Sequence, residues 1–238
     1  MRHAGVDLAR RAGRRLAGGG RIVGHAGSRG VCGLDTVHSR AHRAAREDER
    51  VRVIAGVAKG RRLRPPPAGG TRPITDRAKE SLFNILAPRI AGRSFLDLFA
   101  GTGSVGIEAL SRGAGRATFV ERSARAAANI HHNLAITGQA GQAEVVTRDV
   151  FGYLREPPTP FDVIFMAPPQ WRGLWPKAVA LLDREPGWLA GGGLVVVQHD
   201  PAESTELGTH RLRVCDERSY ARVRFTFLSG RAAPDDPR

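Results

Sequence analysis

The sequence predicts an α/β fold in which a mostly parallel sheet carries helices on both faces. Segments rich in Val, Ile and Leu alternate with helical segments from residue 94 onward. The apolar strands run almost without interruption by polar residues, which is typical of parallel strands buried on both faces. Two consecutive strand-like segments close the chain, and they indicate an antiparallel edge of the sheet.

The predicted elements of this sheet follow one another in a regular order. Strands are predicted at residues 94–99, 117–122, 143–149, 161–166 and 192–200, and two more lie within 209–229. Helices are predicted at residues 103–113, 123–138 and 174–184. The first two of these helices end at glycines, as helices commonly do. This alternation of strands and helices is the basis for the predicted parallel sheet.

A short hairpin and a helix are predicted ahead of the first strand. In "VRVIAGVAKGRRLRPPP" (51–67), a glycine-containing turn separates an apolar strand from a basic one. Three valines take alternating positions in this segment: Val51, Val53 and Val57. In the following "TRPITDRAKESLFNIL" (71–86), Thr75 or Asp76 can cap a helix. Its apolar positions lie near one face: Leu82, Phe83, Ile85 and Leu86.

The length of 238 residues predicts one domain with an extension, and we place that domain at 51–230. Residues 1–50 contain eleven arginines, no lysine and five acids, and their Arg/Gly-rich composition predicts disorder. This extension is either an RNA-binding arm or the product of a start assigned too far upstream. A GTG start codon is read as valine when internal, and Val51 opens the patterned segment. Residues 231–238 are predicted to be a flexible tail.

The charge of the chain favours a polyanionic partner such as nucleic acid. Thirty-seven Lys and Arg residues outweigh 23 Asp and Glu residues, for a net charge of +14. A basic proteome from a GC-rich genome would give the same excess. The two cysteines, Cys32 and Cys215, are far apart and form no disulfide framework or metal-ligand spacing. We therefore expect a cytoplasmic protein without a metal or a membrane span, and nothing in the sequence requires more than a monomer.

The strongest chemical signal is the glycine turn in "FLDLFAGTGSVGIEAL" (95–110). A glycine triplet between a strand and a helix lets the backbone approach a nucleotide ligand. Asp97 precedes the glycines inside the strand end, where it can accept hydrogen bonds from an amino-acid ammonium. A carboxylate there would repel the pyrophosphate of a dinucleotide, so Asp97 favours S-adenosylmethionine over NAD. The residues predicted to contact the cofactor in this turn are Ala100, Gly101, Thr102, Gly103 and Gly106.

Two further acids follow the next two predicted strands. Glu121, followed by Arg122, can accept both hydroxyls of an adenosine ribose. Asp149 can accept from the adenine amino group, while Val150 offers its backbone N–H. Each acid alone is more simply a helix cap or a surface charge. Three acids at successive strand ends beside a glycine turn predict a cofactor site, because open parallel sheets bind ligands at that edge.

With these residues in view, the chain resembles the class I S-adenosylmethionine-dependent methyltransferases. It is most similar to the bacterial family that methylates N2 of guanine 966 in 16S ribosomal RNA. The resemblance rests on "RVIAGVAKGRRL", "TRPITDRAKESLFNIL", "LDLFAGTGSVGIEALSRGA" and "FVERS", of which the second block is the most specific. It implies a Rossmann-like, seven-stranded sheet with an N-terminal hairpin that helps to hold RNA.

The family's catalytic motif is altered in this chain. The resemblance places it after the fourth parallel strand, where Asp or Asn is followed by two prolines and an aromatic residue. Here the motif reads Ala167-Pro168-Pro169-Gln170, and Trp171 follows it. Three outcomes are open: Gln170 supplies the missing acceptor, the enzyme is slow, or the fold binds cofactor and RNA without catalysis.

A basic cluster precedes the glycine turn and is predicted to contact phosphates. Such a cluster would position RNA without reading its sequence. Its members are Lys59, Arg61, Arg62, Arg64, Arg72, Arg77 and Lys79. A solvated basic face with no ligand is the alternative.

The function expected from the resemblance is methyl transfer to guanine N2 of 16S ribosomal RNA, either naked or in a partly assembled small subunit. A catalytically impaired protein that binds RNA or assists ribosome assembly is the alternative from a different class. Adenine-N6 transfer to DNA ranks lower, because the chain has no target-recognition domain of the usual size. Transfer to a protein glutamine ranks lower because of the basic cluster.

Overall fold

The computed structural model of the chain describes residues 51–65, 74–203, 205–220 and 222–231. The predicted extension 1–50, Arg72 and residues 232–238 of the predicted tail 231–238 lie outside these residues, so the domain boundaries remain predictions. No helix in the described ranges is long and apolar enough to cross a membrane.

Seven strands form one sheet with the order β3-β2-β1-β4-β5-β7-β6. β1 to β5 are parallel to one another, whereas β7 pairs antiparallel with both β5 and β6 at one edge. The strands are β1 Ser94–Leu98, β2 Arg116–Glu121, β3 Ala143–Thr147, β4 Phe161–Met166, β5 Leu189–His199, β6 Leu212–Tyr220 and β7 Val223–Gly230. The predicted fold class, including the antiparallel edge, is confirmed.

Helices cover both faces of the sheet. They are α1 Asp76–Leu86, α2 Ser104–Ser111, α3 Ala124–Thr137, α4 Val150–Tyr153 and α5 Leu174–Arg184. The first three pack against one face, and the last two pack against the other. Thr75 caps α1 as predicted, since its hydroxyl accepts the Ala78 N–H at 3.3 Å. The sequence did not predict α4, which has four residues and is too short to show a helical period.

Residues 51–65, called the N-terminal segment below, fold back on themselves and bury their apolar side chains against the face of the sheet that carries α2. Arg52 and Arg62 form an antiparallel bridge, flanked by hydrogen bonds from Val53 N to Arg61 O and from Leu63 N to Val51 O. Val57 departs from the predicted alternation and is 88% exposed. It lies in the loop between the paired residues, where its N–H donates to Ser111 O. This hydrogen bond turns the backbone of Val57 toward α2 and leaves its side chain in solvent.

Candidate active site at the carboxyl edge of the sheet

The strand order reverses between β1 and β4, and such a switch point opens a crevice at the carboxyl ends of the strands. Leu98 of β1 pairs with Val120 of β2 and with Met166 of β4. Glu121 pairs with Thr147 of β3. The segments that follow these four strands therefore leave the sheet at nearly the same level. This register brings the predicted cofactor residues and the Pro-Pro motif to one edge.

The first two glycines of the turn adopt conformations that favour glycine. Gly101 has φ +57° and Gly103 has φ +73°, in the left-handed region. A Cβ on Gly101 would meet only Phe99 O, at 3.9 Å, so space is open beside this residue. Ala100, which precedes the first glycine, and Thr102, which lies between the two, are buried. Gly103 then caps the N-terminus of α2, whose first N–H groups face the crevice.

Gly106 has a different part in the site from the other two glycines. A Cβ at this position would lie 2.4 Å from the ring of Phe119, so glycine is needed to let α2 pack closely on β2. Its backbone N–H donates to Oδ2 of Asp97 at 2.9 Å. Gly106 therefore orients the carboxyl group of Asp97, and its lack of a side chain serves packing.

Asp97 is a buried carboxyl group, 2% exposed, at the end of β1. Burial raises the pKa of Asp97 to about 8, although the hydrogen bond from Gly106 lowers it and the charge of Glu121 raises it further. Without a ligand, Asp97 therefore holds a proton at neutral pH. A cation placed beside it would favour the ionised form.

Glu121 is half-buried at the end of β2 and is linked to the glycine turn. Its Oε2 accepts the Gly101 N–H at 3.0 Å, and its Oε1 accepts the Ser123 N–H at 2.8 Å. Each carboxylate oxygen has a second lone pair that can receive a ligand hydroxyl. Arg122, which follows it, is exposed.

Asp149 caps the N-terminus of α4. Its Oδ1 accepts the N–H groups of Phe151 and Gly152 at 3.0 and 3.2 Å. Oδ2 remains available to a ligand donor. Val150 is buried as the first residue of α4, where its N–H has no partner within the helix.

An aromatic pair that was not predicted from the sequence lies in this crevice. The rings of Phe99 and Phe151 meet edge to face, with centroids 6.2 Å apart. Phe99 follows β1 with φ +60°, and Phe151 lies two residues past Asp149. The pair supplies an apolar wall of the kind that an adenine ring would contact. The available signal was an aromatic residue shortly after each of two strands: Phe99 directly follows β1, and Phe151 lies four residues beyond the end of β3.

The Pro-Pro motif forms the loop after β4. Pro168 is buried, Ala167 and Pro169 are half-buried, and Gln170 is exposed. Ala167 packs against the same side of the sheet that holds Asp97. Trp171 is 65% exposed, has φ +61°, and donates its backbone N–H to the carboxylate of Glu203. The loop therefore carries an unburied indole at the crevice edge.

Most of the predicted phosphate-contacting residues lie on the surface. The exposed members are Lys59, Arg61, Arg62, Arg64 and Arg77, and none of them forms an ion pair with a described carboxylate. Arg72 lies outside the described residues. Within the described ranges, no group of three or more His, Cys, Asp or Glu side chains could hold a metal ion.

Lys79 corrects the prediction for this cluster, because its side chain is buried and cannot reach RNA. It is 1% exposed. Its Nζ donates to Arg52 O at 2.5 Å and lies 3.6 Å from Oε2 of Glu108. Burial lowers the pKa of Lys79, while the adjacent Glu108 carboxylate raises it. Lys79 therefore fixes the N-terminal segment to α2.

Comparison with known proteins agrees with this geometry. A family model described as "Conserved hypothetical protein 95" matches residues 51–229. Ribosomal RNA small subunit methyltransferase D of Escherichia coli (strain K12) is 39% identical over 175 residues, which cover 71% of this chain and 87% of that protein. The protein of the same name from Haemophilus influenzae is 41% identical over 151 residues, covering 62% of this chain and 78% of that protein.

A solved structure shows the same relationship. The Escherichia coli protein yhhF superposes with a TM-score of 0.69 at 35% identity, over 77% of this chain and 99% of that one. The family predicted from the sequence motifs is therefore confirmed: the chain belongs to the ribosomal RNA small subunit methyltransferase D family.

Proposed function

We propose that the protein transfers a methyl group from S-adenosylmethionine to N2 of a guanine in small-subunit ribosomal RNA. The observation that carries this proposal is the pairing of Leu98 with Met166. It puts the glycine turn and the Pro-Pro loop on adjacent strands at one edge, so a bound donor and a bound acceptor lie side by side. Two of the relatives are named as small-subunit ribosomal RNA methyltransferases.

The cofactor would be held along the ends of β1, β2 and β3. Asp97 would accept hydrogen bonds from its ammonium group, and Glu121 would accept them from its ribose hydroxyls. Asp149 would accept a hydrogen bond from the adenine amino group, Val150 would donate its backbone N–H to the adenine ring, and the Phe99–Phe151 pair would form the apolar wall. S-adenosylmethionine supplies an electrophilic methyl group on a sulfonium when it is bound there.

The Pro-Pro loop orients the guanine. The N2 lone pair is delocalised into the ring, so the enzyme must align this nitrogen in line with the methyl group. The carbonyls of Ala167 and Pro168, with the Gln170 side-chain oxygen, accept the amine hydrogens and offset the positive charge that develops on nitrogen. With the donor bound, the N–C bond would form as the C–S bond breaks, and N2 would then release one proton to water. Trp171 stacks on the extruded base.

The exposed cations of the N-terminal segment position the RNA. The segment lies along α2 and α3, because Ala58 contacts Ser111 at the end of α2 and Arg64 contacts Asn133 of α3. Asn133 also contacts Thr102 in the glycine turn. The basic residues therefore run toward the crevice, and bound phosphates would lead the target nucleotide to it.

A methyl-transfer assay tests the proposal. Labelled S-adenosylmethionine is supplied with small-subunit RNA, or with small-subunit particles that lack the modification, and the nucleosides are analysed. We expect N2-methylguanosine, and the better substrate of the two identifies the partner. If the protein binds cofactor and RNA but gives no methylated product, it is an RNA-binding protein without catalysis. The absence of a carboxylate at Ala167 favours this alternative. Labelled N6-methyladenine in a parallel reaction with DNA would contradict both.

Cofactor affinity should depend on pH through Asp97. Because the pKa of Asp97 is about 8 in the ligand-free protein, this group is protonated at pH 6 to 7, whereas the ion pair with the ligand ammonium needs the carboxylate. Binding of S-adenosylhomocysteine should therefore release a proton, and affinity should rise about tenfold per pH unit in this range.

Calorimetric titrations in buffers of different ionisation enthalpy measure that proton release. An Asp149→Asn variant should keep the pH dependence, since its carboxyl group is exposed. An affinity that is flat between pH 6 and 7 would contradict the assignment of Asp97.

The basic segment should set the salt dependence of RNA binding. Replacing Arg61 and Arg62 with alanine should weaken binding and reduce the slope of log affinity against log salt by about 1.4, or about 0.7 for each lost phosphate contact with single-stranded RNA. Alanine at Lys177 and Arg184, two exposed cations of α5 on the other face, should leave the slope unchanged. Equal changes in the two double variants would indicate a general charge effect.

A further inference from the structure

One buried amide joins the N-terminal segment to the glycine turn. Asn133 of α3 is 0% exposed. Its Oδ1 accepts the Arg64 N–H at 2.8 Å, and its Nδ2 donates to Thr102 O at 2.9 Å. We propose that Asn133 is a positioning residue that couples RNA binding to cofactor binding, so that each ligand strengthens the binding of the other. This inference rests on the proposed function.

On the RNA side, the contact holds the backbone of a basic residue. Arg64 projects its side chain to solvent while Asn133 bonds its main-chain N–H, and a weaker contact of 3.4 Å joins Asn133 Nδ2 to Arg64 O. One turn earlier on α3, Asn129 donates to Pro65 O at 2.7 Å. Two amides on one face of α3 thus fix the course of the chain at Arg64 and Pro65.

On the cofactor side, the contact fixes a peptide group in the turn. The Thr102 carbonyl accepts from Asn133, and the other end of the same peptide, Gly103 N–H, donates to Ala100 O at 2.8 Å. This peptide joins Thr102 to Gly103, and Gly101 precedes Thr102; both glycines have positive φ, and glycine on either side of Thr102 leaves the backbone of the turn with few steric restraints of its own. Asn133 therefore selects one orientation of the turn that is to receive the cofactor.

Burial makes this link effective. A buried amide that loses one partner leaves an unsatisfied polar group, so the two contacts favour being formed together. When bound RNA orders Arg64, Asn133 is held in the position from which it bonds Thr102 O in the glycine turn. When bound cofactor orders the turn, Asn133 is held in the position from which it bonds Arg64 N–H. Linkage requires the two effects to be equal in size.

The test measures RNA affinity with and without S-adenosylhomocysteine. In the unaltered protein, saturating S-adenosylhomocysteine should tighten RNA binding by about fivefold or more, the lower end of typical coupling between sites. In Asn133→Ala and in Asn133→Asp, which keeps the acceptor but cannot donate to Thr102 O when ionised, this ratio should fall close to one. Two variants are used because either may fail to fold, and a variant that still binds S-adenosylhomocysteine is folded.

Asn129→Ala is the matched control, because it removes a contact to the same chain segment without touching the turn. It should weaken RNA binding but keep the coupling ratio. The inference is overturned if the unaltered protein binds RNA with a ratio of one, if the Asn133 variants keep the full ratio, or if Asn129→Ala loses it equally. A protein that binds no RNA in either state would overturn the proposed function together with the inference.

Discussion

Replacing Gln170 with alanine is expected to lower kcat for methyl transfer by about 10²- to 10³-fold, the usual effect of removing one group that stabilises transition-state charge. Gln170 is exposed in the loop after β4, so the substitution should not disturb the core. Single-turnover rates on unmodified RNA measure the effect, and affinity for S-adenosylhomocysteine should stay unchanged. An unchanged rate would remove Gln170 from the mechanism.

A second substitution tests whether the Gln170 side-chain oxygen replaces the missing carboxylate as an acceptor for the guanine amine. Ala167 is half-buried on the same side of the sheet as Asp97, where an acidic side chain would lie near the crevice. If the two positions supply the same acceptor, Ala167→Asp should restore much of the rate lost in Gln170→Ala. A double variant slower than Gln170→Ala would show that position 167 cannot supply that acceptor.

Replacing Asp97 with asparagine is expected to weaken S-adenosylhomocysteine binding at pH 8 by at least about thirtyfold, since losing one partner of a buried charge pair costs about 2 kcal/mol or more. The variant should also lose the pH dependence between pH 6 and 7. Calorimetry measures both effects. Asp149→Asn is the control and should have a smaller effect, because its carboxyl group is exposed to water.

Thermal unfolding separates this loss of binding from a loss of folding. The pKa of Asp97 in the folded protein, about 8, is higher than the ordinary aspartate pKa of 3.8, so the unfolded chain ionises first as pH rises. The carboxyl group therefore lowers the stability of the ligand-free protein as pH rises from about 4 to 8. Asparagine carries no such penalty, so the variant should unfold at a temperature no lower than the unaltered protein at pH 8. A lower temperature would mean that Asp97 is needed for folding.

Local patterns in the sequence were enough to predict most of the fold. Phe161–Met166 and Leu174–Arg184 occupy the predicted residues, because a continuous apolar run and a helical period each identify an element directly. Asp97, Glu121 and Asp149 lie at the ends of the strands that were predicted to carry them. The strand register then explains why such residues share one edge.

The wrong prediction for Lys79 went against a local pattern, and its contacts with distant parts of the chain could not be predicted from the sequence. Lys79 was grouped with surface cations, although its spacing from Leu82, Phe83 and Leu86 already placed it on the buried face of α1. Its acidic neighbour Glu108 is 29 residues away, and a single sequence does not show that pairing. The two contacts of Asn133 span 69 and 31 residues and were equally invisible.

Because the strand order reverses between β1 and β4, two different stretches of chain form the two sides of the site. In the proposed mechanism, the segment from β1 to α4 holds the methyl donor, and the loop after β4 holds the acceptor. Alanine at position 167 packs against the core on the side of the sheet that carries α2. Because different strands carry the two sets of residues, a substitution in the loop after β4 can change the acceptor contacts without removing a side chain that holds the donor.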